Sequence, residues 1–415
     1  MERRLVGGTM VAAPVALAAA AIAAGMSTTS PTWWAAAVHL AILGGITLMI
    51  YAVNIRIVPV FARRPWPSLR LLVAQVVAGG AGAWLTFLGK GLREDALVRV
   101  GQALALAGGL LFMSNVVRLF KQEPAFRHTP PAADPAQPAV DRIATKFTRL
   151  SGMLLVLGLA LGVALSWWRP QTGRWDLVWA HALLVGFFLT MASGVCYHVL
   201  GRWTGVTWRS ARVIRRHYEL VVLSLPLMLL ALATDAEKLF LVAGPAQAAA
   251  IALFLVNILP LVWRLDGPVR AGILVAIAFL VAGVGLGVAF AVDPGLGPQL
   301  RQTHATANVF GFGGLLISGF GYVFVTHFAG RSLRWPRLAW AQVGVLLLGV
   351  AGGVLATIWR ALGDGPDAAV MAAQGVVAAG MLLFAAQVAG TFAGRPPAPV
   401  VVLRSAVDRA ATRGA

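Results

Sequence analysis

Twelve stretches of mostly apolar residues, each long enough to cross a bilayer, follow one another along this 415-residue chain. A membrane-spanning helix needs about 20 such residues, because hydrocarbon offers no hydrogen-bond partners to an open backbone. The windows lie at residues 9–25, 33–57, 71–89, 97–119, 149–168, 177–200, 217–234, 239–263, 270–291, 302–328, 338–358 and 367–393. The sequence therefore predicts an all-α integral membrane protein, with the first window interpreted as a retained helix and not as a signal peptide.

The basic residues are distributed unequally between alternate loops. If the N-terminus lies inside, the inner segments hold 26 of the 34 Lys and Arg residues, and the net charge is +19. An excess of Lys and Arg marks the cytoplasmic side of a membrane protein. We therefore predict a multi-pass protein of the bacterial cytoplasmic (inner) membrane with both termini in the cytoplasm. The lipid bilayer accounts for the charge, and nucleic acid is not an expected partner.

An internal repeat relates the second, sixth and tenth spans. Each begins with a His, has a Gly five or seven residues later, and carries a Tyr further along. The repeated residues are His39, His181 and His304; Gly44, Gly186 and Gly311; and Tyr51, Tyr197 and Tyr322. Repeats of this kind indicate that one structural unit recurs along the chain.

The repeated spans are four helices apart, which predicts three pseudo-repeated arcs of four helices. The arcs are residues 1–120, 149–263 and 264–394. Residues 121–148, rich in Pro and Ala, are predicted to form a flexible cytoplasmic linker with a solvated His128, and residues 395–415 a cytoplasmic tail. The other loops are short, so any chemistry must take place within the helix bundle.

The histidines at the start of the repeated spans, His39, His181 and His304, are the main candidate metal and cofactor ligands. Neutral imidazole is the commonest side-chain metal ligand and also binds heme iron. An ionisable residue inside a membrane usually serves a function, although each His could instead hydrogen-bond a neighbouring helix. Glycines of the tenth span would allow a helix or a flat macrocycle to approach closely: Gly311, Gly313, Gly314 and Gly319.

A second set of candidate ligands, His198, His217 and His327, is predicted to lie toward the cytoplasm. These residues would form another metal or heme site, or would extend into the lipid headgroups. The single cysteine, Cys196, is expected to be a small buried hydrophobe.

The sequence lacks the residues that several classes of function require. The span interiors contain almost no Asp or Glu, whereas proton-coupled transporters generally need buried carboxylates. The sequence also has no phosphate-binding loop, no nucleophile elbow and no His-Glu-x-x-His motif. Hydrolase and nucleoside triphosphatase activities are therefore not expected.

The sixth span, "WAHALLVGFFLTMASGVCYHVLGR", resembles the C-family heme-copper oxidases and nitric oxide reductases, in which a similar segment begins with a copper ligand. The tenth span matches the same group's H-x-H-x-N-x-x-G-F pattern at His304, Asn308, Gly311 and Phe312. The resemblance implies an oxidase subunit I-like fold. It also implies that His181 is a copper ligand, His304 the proximal ligand of an active-site heme, and His39 a ligand of an electron-transfer heme.

The chain departs from that pattern at the metal site. Thr306 replaces the second His of H-x-H, and the seventh span lacks the His pair that completes the copper site. The resemblance therefore implies a divergent member without the standard heme-copper binuclear site. In size the chain resembles the NnrS family, twelve-helix heme proteins linked to nitric oxide. The matching segments are "WWAAAVHL" on the second span and "THFAGRSL" on the tenth.

These observations and the resemblance favour a heme-binding membrane protein. Its cofactor would be a b-type heme, with copper left open, and it would handle nitric oxide or another diatomic ligand, or transfer electrons. A cytochrome or a small membrane subunit would be its partner. Two alternatives remain: a degenerate oxidoreductase of the oxidase or nitric oxide reductase type, and a non-heme twelve-helix transporter.

Overall fold

The computed structural model of the chain describes residues 2–125, 130–168, 170–363 and 365–394. Within these residues twelve helices are long and apolar enough to cross a membrane, which confirms the twelve predicted spans. In chain order they are α1 Glu2–Met26, α2 Thr32–Ala62, α3 Leu69–Leu92, α4 Asp95–Lys121, α5 Gln137–Trp167, α6 Trp175–Thr204, α7 Ala211–Thr234, α8 Glu237–Val262, α9 Gly267–Val292, α10 Leu296–Ala329, α11 Pro336–Ala361 and α12 Asp367–Ala393.

The three helices that carry the repeat form the centre of the bundle. The most apolar stretches of α2, α6 and α10 are 89%, 78% and 89% buried, compared with 28–61% for the other nine described helices. The third and fourth helices of each arc pack against each other, as α3 with α4, α7 with α8, and α11 with α12, and α1 packs against α12. The predicted arrangement in three arcs of four helices is therefore confirmed.

The predicted linker is wrong at its C-terminal boundary. Helix α5 begins at Gln137, so only residues 122–136 separate it from α4. The Gln137 amide donates to the Tyr197 carbonyl oxygen at 3.0 Å and accepts from the Trp208 indole N–H at 2.7 Å. These bonds attach the first turn of α5 to α6 and the loop after it, and Val140 and Ala144 are fully buried. His128 and the predicted tail, 395–415, lie outside the described residues.

Glycine sets the spacing between α3 and α4. A methyl group on Gly82 would overlap the Ala105 backbone nitrogen and lie 2.7 Å from the Gly101 carbonyl oxygen. Small residues at such a contact let two membrane helices approach closely. The backbone of α4 can relieve the overlap only by moving away.

We expect Gly82→Ala to lower the free energy of unfolding by about 1–3 kcal/mol, the usual cost of overpacking. Gly80→Ala is the matched control, because its methyl would meet only Leu48 Cδ1 at 3.7 Å. The control should be neutral or slightly stabilising, since Ala favours a helix more than Gly does. Thermal unfolding in detergent would measure both variants, and equal melting temperatures would contradict this account of the interface.

Candidate functional site

Each central helix contains a π-helical segment that begins one or two residues after its predicted site histidine. The segments are Leu40–Thr47 after His39, Ala182–Leu189 after His181, and Thr306–Gly314 after His304. The π-helix is rare and is often found at functional sites. The glycines of the predicted repeat lie inside these segments. The repeated His and Gly spacing therefore marked the segments in the sequence, although it did not predict their π-helical form.

The histidines of α2 and α6 are held in the same way. The Nδ1 atom of His39 lies 2.7 Å from the Ala35 carbonyl oxygen, and that of His181 lies 2.8 Å from the Leu177 carbonyl oxygen. A carbonyl acceptor places the imidazole proton on Nδ1, which leaves Nε2 as the free basic nitrogen. Both residues are half-buried, and neither Nε2 has a hydrogen-bond partner among the described residues. In both residues Nε2 is therefore the nitrogen whose lone pair is not used within the described chain.

The fold brings His181 and His304 together. Their ring centroids are 6.2 Å apart and their planes differ by 23°. Phe290 packs near His304, with centroids 5.5 Å apart. The Nδ1 atom of His304 is buried and has no partner among the described residues. The backbone of Gly283 interacts with the same ring. An unsatisfied buried polar atom costs about 1–3 kcal/mol, so the Nδ1 atom of His304 is suited to a further partner.

His39 does not join this pair in direct ring contact; it stacks on Trp179. The two ring centroids are 4.1 Å apart and the planes differ by 16°. Trp179 precedes His181 by two residues on α6. The side chain that contacts His39 therefore belongs to a residue close to His181 in the chain. The Trp179 Nε1 atom and the Gln102 Oε1 atom are both buried and have no partner among the described residues. A side chain at Gly162 would meet both atoms, so a donor and an acceptor face the same gap beside α5.

The repeated tyrosines form three equivalent contacts in the bundle. Each is almost fully buried and packs on a Phe of the fourth helix in its arc. The pairs, with their centroid separations, are Tyr51–Phe112 at 5.1 Å, Tyr197–Phe254 at 5.8 Å and Tyr322–Phe384 at 5.2 Å. This pattern extends the threefold repeat beyond the central helices.

His217 has a counterpart in another arc. The Tyr197 hydroxyl lies 2.9 Å from His217 Nδ1, and the Tyr322 hydroxyl donates to Gln342 Oε1 at 2.8 Å. His217 and Gln342 both lie on the third helix of their arcs and bond the repeated tyrosine. The contact assigns His217 the role of a hydrogen-bond partner within the bundle.

We therefore expect the free energy of unfolding of His217→Gln to lie within about 1 kcal/mol of the wild-type value. His217→Leu should lose about 1–3 kcal/mol, because it removes the hydrogen bond between residue 217 and the buried Tyr197 hydroxyl. Thermal unfolding of the two variants in detergent would test this. If Gln were as destabilising as Leu, the equivalence with Gln342 would be wrong.

The remaining candidates are not brought together. His198 Nδ1 lies 3.0 Å from an Asp141 carboxylate oxygen, in a cluster that Arg202 completes. His327 is exposed, bonds the Val323 carbonyl oxygen of its own helix at 2.9 Å, and stacks on Trp203. Neither residue approaches a second imidazole in the described part of the chain.

The donor set does not suit a standard copper site. Within the described ranges, no group of three or more His, Cys, Asp or Glu side chains converges. Cys196 is buried, as predicted, and lines an apolar pocket of about 70 Å³ among the three central helices. Gly311 packs against Phe279, and Gly319 against Ile273, so these glycines serve helix packing.

The chain is similar in structure to a heme-copper terminal oxidase whose dimer was determined by cryo-EM. The TM-score is 0.68, the sequence identity is 10%, and the match covers 95% of this chain and 85% of the other. The chain has the fold of oxidase subunit I. No family model matches the sequence, and neither does any curated protein. A likeness at 10% identity establishes the fold and leaves the chemistry to the residues of this chain.

Proposed function

We propose that this oxidase-like membrane protein binds a b-type heme through His181 and His304, at the N-terminal ends of α6 and α10. His39 is the third candidate ligand. The observation that carries the proposal is the His181–His304 pair, with ring centroids 6.2 Å apart and a buried His304 Nδ1 that has no partner in the described chain. Metal–imidazole bonds are about 2.0–2.1 Å long, so two rings at this separation are close enough to serve one metal centre.

The chain itself would orient the ligands. The Leu177 carbonyl oxygen holds the His181 ring through Nδ1, and such a hydrogen bond raises the basicity of the other ring nitrogen. Phe290 and the apolar core limit the access of water to the pair. A bound heme would supply reversible ligation of nitric oxide or another diatomic molecule, or one-electron transfer. Electrons would come from a separate cytochrome or small membrane subunit.

The residues do not support a standard binuclear centre. His181 has one imidazole neighbour, His304, and no third His, Cys, Asp or Glu joins them in the described chain. The described residues therefore do not provide the three histidines of a standard copper site. The proposal is a heme protein of the oxidase fold that is divergent at the metal site.

Absorption spectra of the purified protein, oxidised and reduced with dithionite, would test this together with iron and copper analysis. We expect a heme spectrum, iron in stoichiometric amount, less copper than iron, and a spectral change when nitric oxide is added to the reduced protein. Monodisperse protein from heme-supplied cells that shows neither heme absorbance nor iron would overturn the proposal and favour the transporter alternative.

A further inference from the structure

Exposed cations lie along the groove between α5 and α7: Arg142, Lys146 and Arg149 on α5, and Arg215 on α7. Lys146 on α5 lies with its Nζ 5.8 Å from the centroid of the Tyr218 ring on α7. Tyr218 also meets Phe147 edge-on, with centroids 5.1 Å apart, so the two helices touch at this level. Arg142 precedes Lys146 by four residues and Arg215 precedes Tyr218 by three. Residues at these spacings share a helix face, so both arginines lie about one turn further toward the same end of the groove.

These cations have no carboxylate partner among the described residues. Asp141, the nearest acid on α5, is bound by Arg202 and His198. Glu219, the acid on the exposed side of α7, is paired with Arg216 at 2.6 Å. Arg142, Lys146 and Arg215 are all exposed. This end of the groove therefore carries four positive charges, Arg149 included, and the neighbouring acids are already paired.

The groove becomes apolar toward the middle of the membrane. On α5 the face of Lys146 carries the exposed Arg149 one turn further and then Met153 and Leu157, which are 59% and 60% exposed. On α7 the face of Arg215 first carries Glu219, whose charge is paired with Arg216, and then Val222, which is 44% exposed. Large apolar side chains exposed along a membrane-spanning helix are surfaces for lipid chains. A basic end followed by an apolar track matches the two parts of a phospholipid.

We propose that this groove is a specific site for an anionic phospholipid. Arg142, Lys146 and Arg215 bind the phosphate, and the acyl chains lie along the apolar track of α5 and α7. Basic pockets between membrane helices bind anionic headgroups in this manner. The aliphatic parts of the basic side chains remain in the apolar layer while their charges reach the headgroup. The inference is independent of heme binding.

The test is a titration of delipidated full-length protein in detergent micelles with phosphatidylglycerol, followed by native mass spectrometry, with phosphatidylcholine for comparison. The variant carries Arg142→Gln, Lys146→Gln and Arg215→Gln. We expect its tightest phosphatidylglycerol site to be about a hundredfold weaker, since each lost cation removes a factor of roughly five. The matched control carries Arg70→Gln, Arg118→Gln and Lys121→Gln, which removes the same charge from exposed positions on α3 and α4, and it should keep the wild-type affinity.

Two results would overturn the proposal. If both triple variants lose affinity equally, the lipids respond to the total charge of the protein and not to this groove. If soluble glycerophosphoglycerol displaces the lipid at equal concentration, the apolar track contributes nothing and the site is not a lipid site. All six substituted residues are exposed, and size-exclusion profiles like that of the wild type would confirm that the variants fold.

Discussion

Replacement of His181 or His304 by Ala is expected to remove most of the heme from an otherwise folded protein. Each substitution deletes one imidazole of a pair whose ring centroids are 6.2 Å apart. Loss of residues that merely support a metal ligand typically lowers metal affinity by about 10–100-fold. Loss of a ligand itself should lower heme affinity by at least that factor, and the heme retained through purification should fall with it. The measurement is the heme absorbance and iron content per mole of purified protein.

His327→Ala is the matched control for the loss of an imidazole. His327 is exposed. Among the described contacts it bonds the Val323 carbonyl oxygen of its own helix and stacks on Trp203. Its removal should leave the heme spectrum unchanged. His39→Ala should affect heme content less than His181→Ala, because the His39 ring is stacked on Trp179 and not on another imidazole. Wild-type heme content in both His181→Ala and His304→Ala would contradict the proposed ligand pair.

Asp141→Ala is expected to lower the free energy of unfolding by about 3 kcal/mol, the largest stability effect that we predict for a single side chain. The Asp141 carboxylate accepts two hydrogen bonds from Arg202, at 3.0 and 2.7 Å, and one from Gln137 at 3.0 Å. His198 Nδ1 also lies 3.0 Å away. The Arg202 side chain is only 8% exposed, so removal of Asp141 would leave a buried charge without its counter-ion.

A denaturation series in mixed detergent micelles would measure this loss. Glu219→Ala provides the comparison, because Glu219 and its partner Arg216 are 46% and 77% exposed. An exposed ion pair contributes about 0–1 kcal/mol, so this variant should remain close to the wild type. Similar losses in the two variants would mean that the Asp141 cluster behaves as an ordinary surface ion pair.

The N-terminal boundary of α5 could not be predicted from the local sequence. Residues 137–148 follow a Pro- and Ala-rich segment and were predicted to belong to a flexible linker, yet α5 begins at Gln137. The bonds that stabilise this turn come from Tyr197 and Trp208, about 60 to 70 residues further along the chain. Contacts between distant residues leave no signal in the composition of the segment that they stabilise.

The π-helical segments were missed for a related reason. The sequence showed a His and a Gly at repeated spacing, but an i→i+5 hydrogen-bond pattern differs from an α-helix only in how the backbone is wound. The Thr47 hydroxyl also follows this winding, since it donates to the carbonyl oxygen of Ile42, five residues back, at 2.9 Å. Apolar periodicity does not distinguish the two forms over eight or nine residues.

The sequence by itself determined the twelve spans and the threefold repeat, because hydrocarbon admits only helices with satisfied backbones and because the repeated residues recur four helices apart. Only the tertiary structure decided which side chains meet. Spacing along the chain determines the order of helices and not their separation, so it could not show that His181 faces His304 while His39 stacks on Trp179. It also could not show that His217 bonds Tyr197, since the packing of whole helices sets these distances.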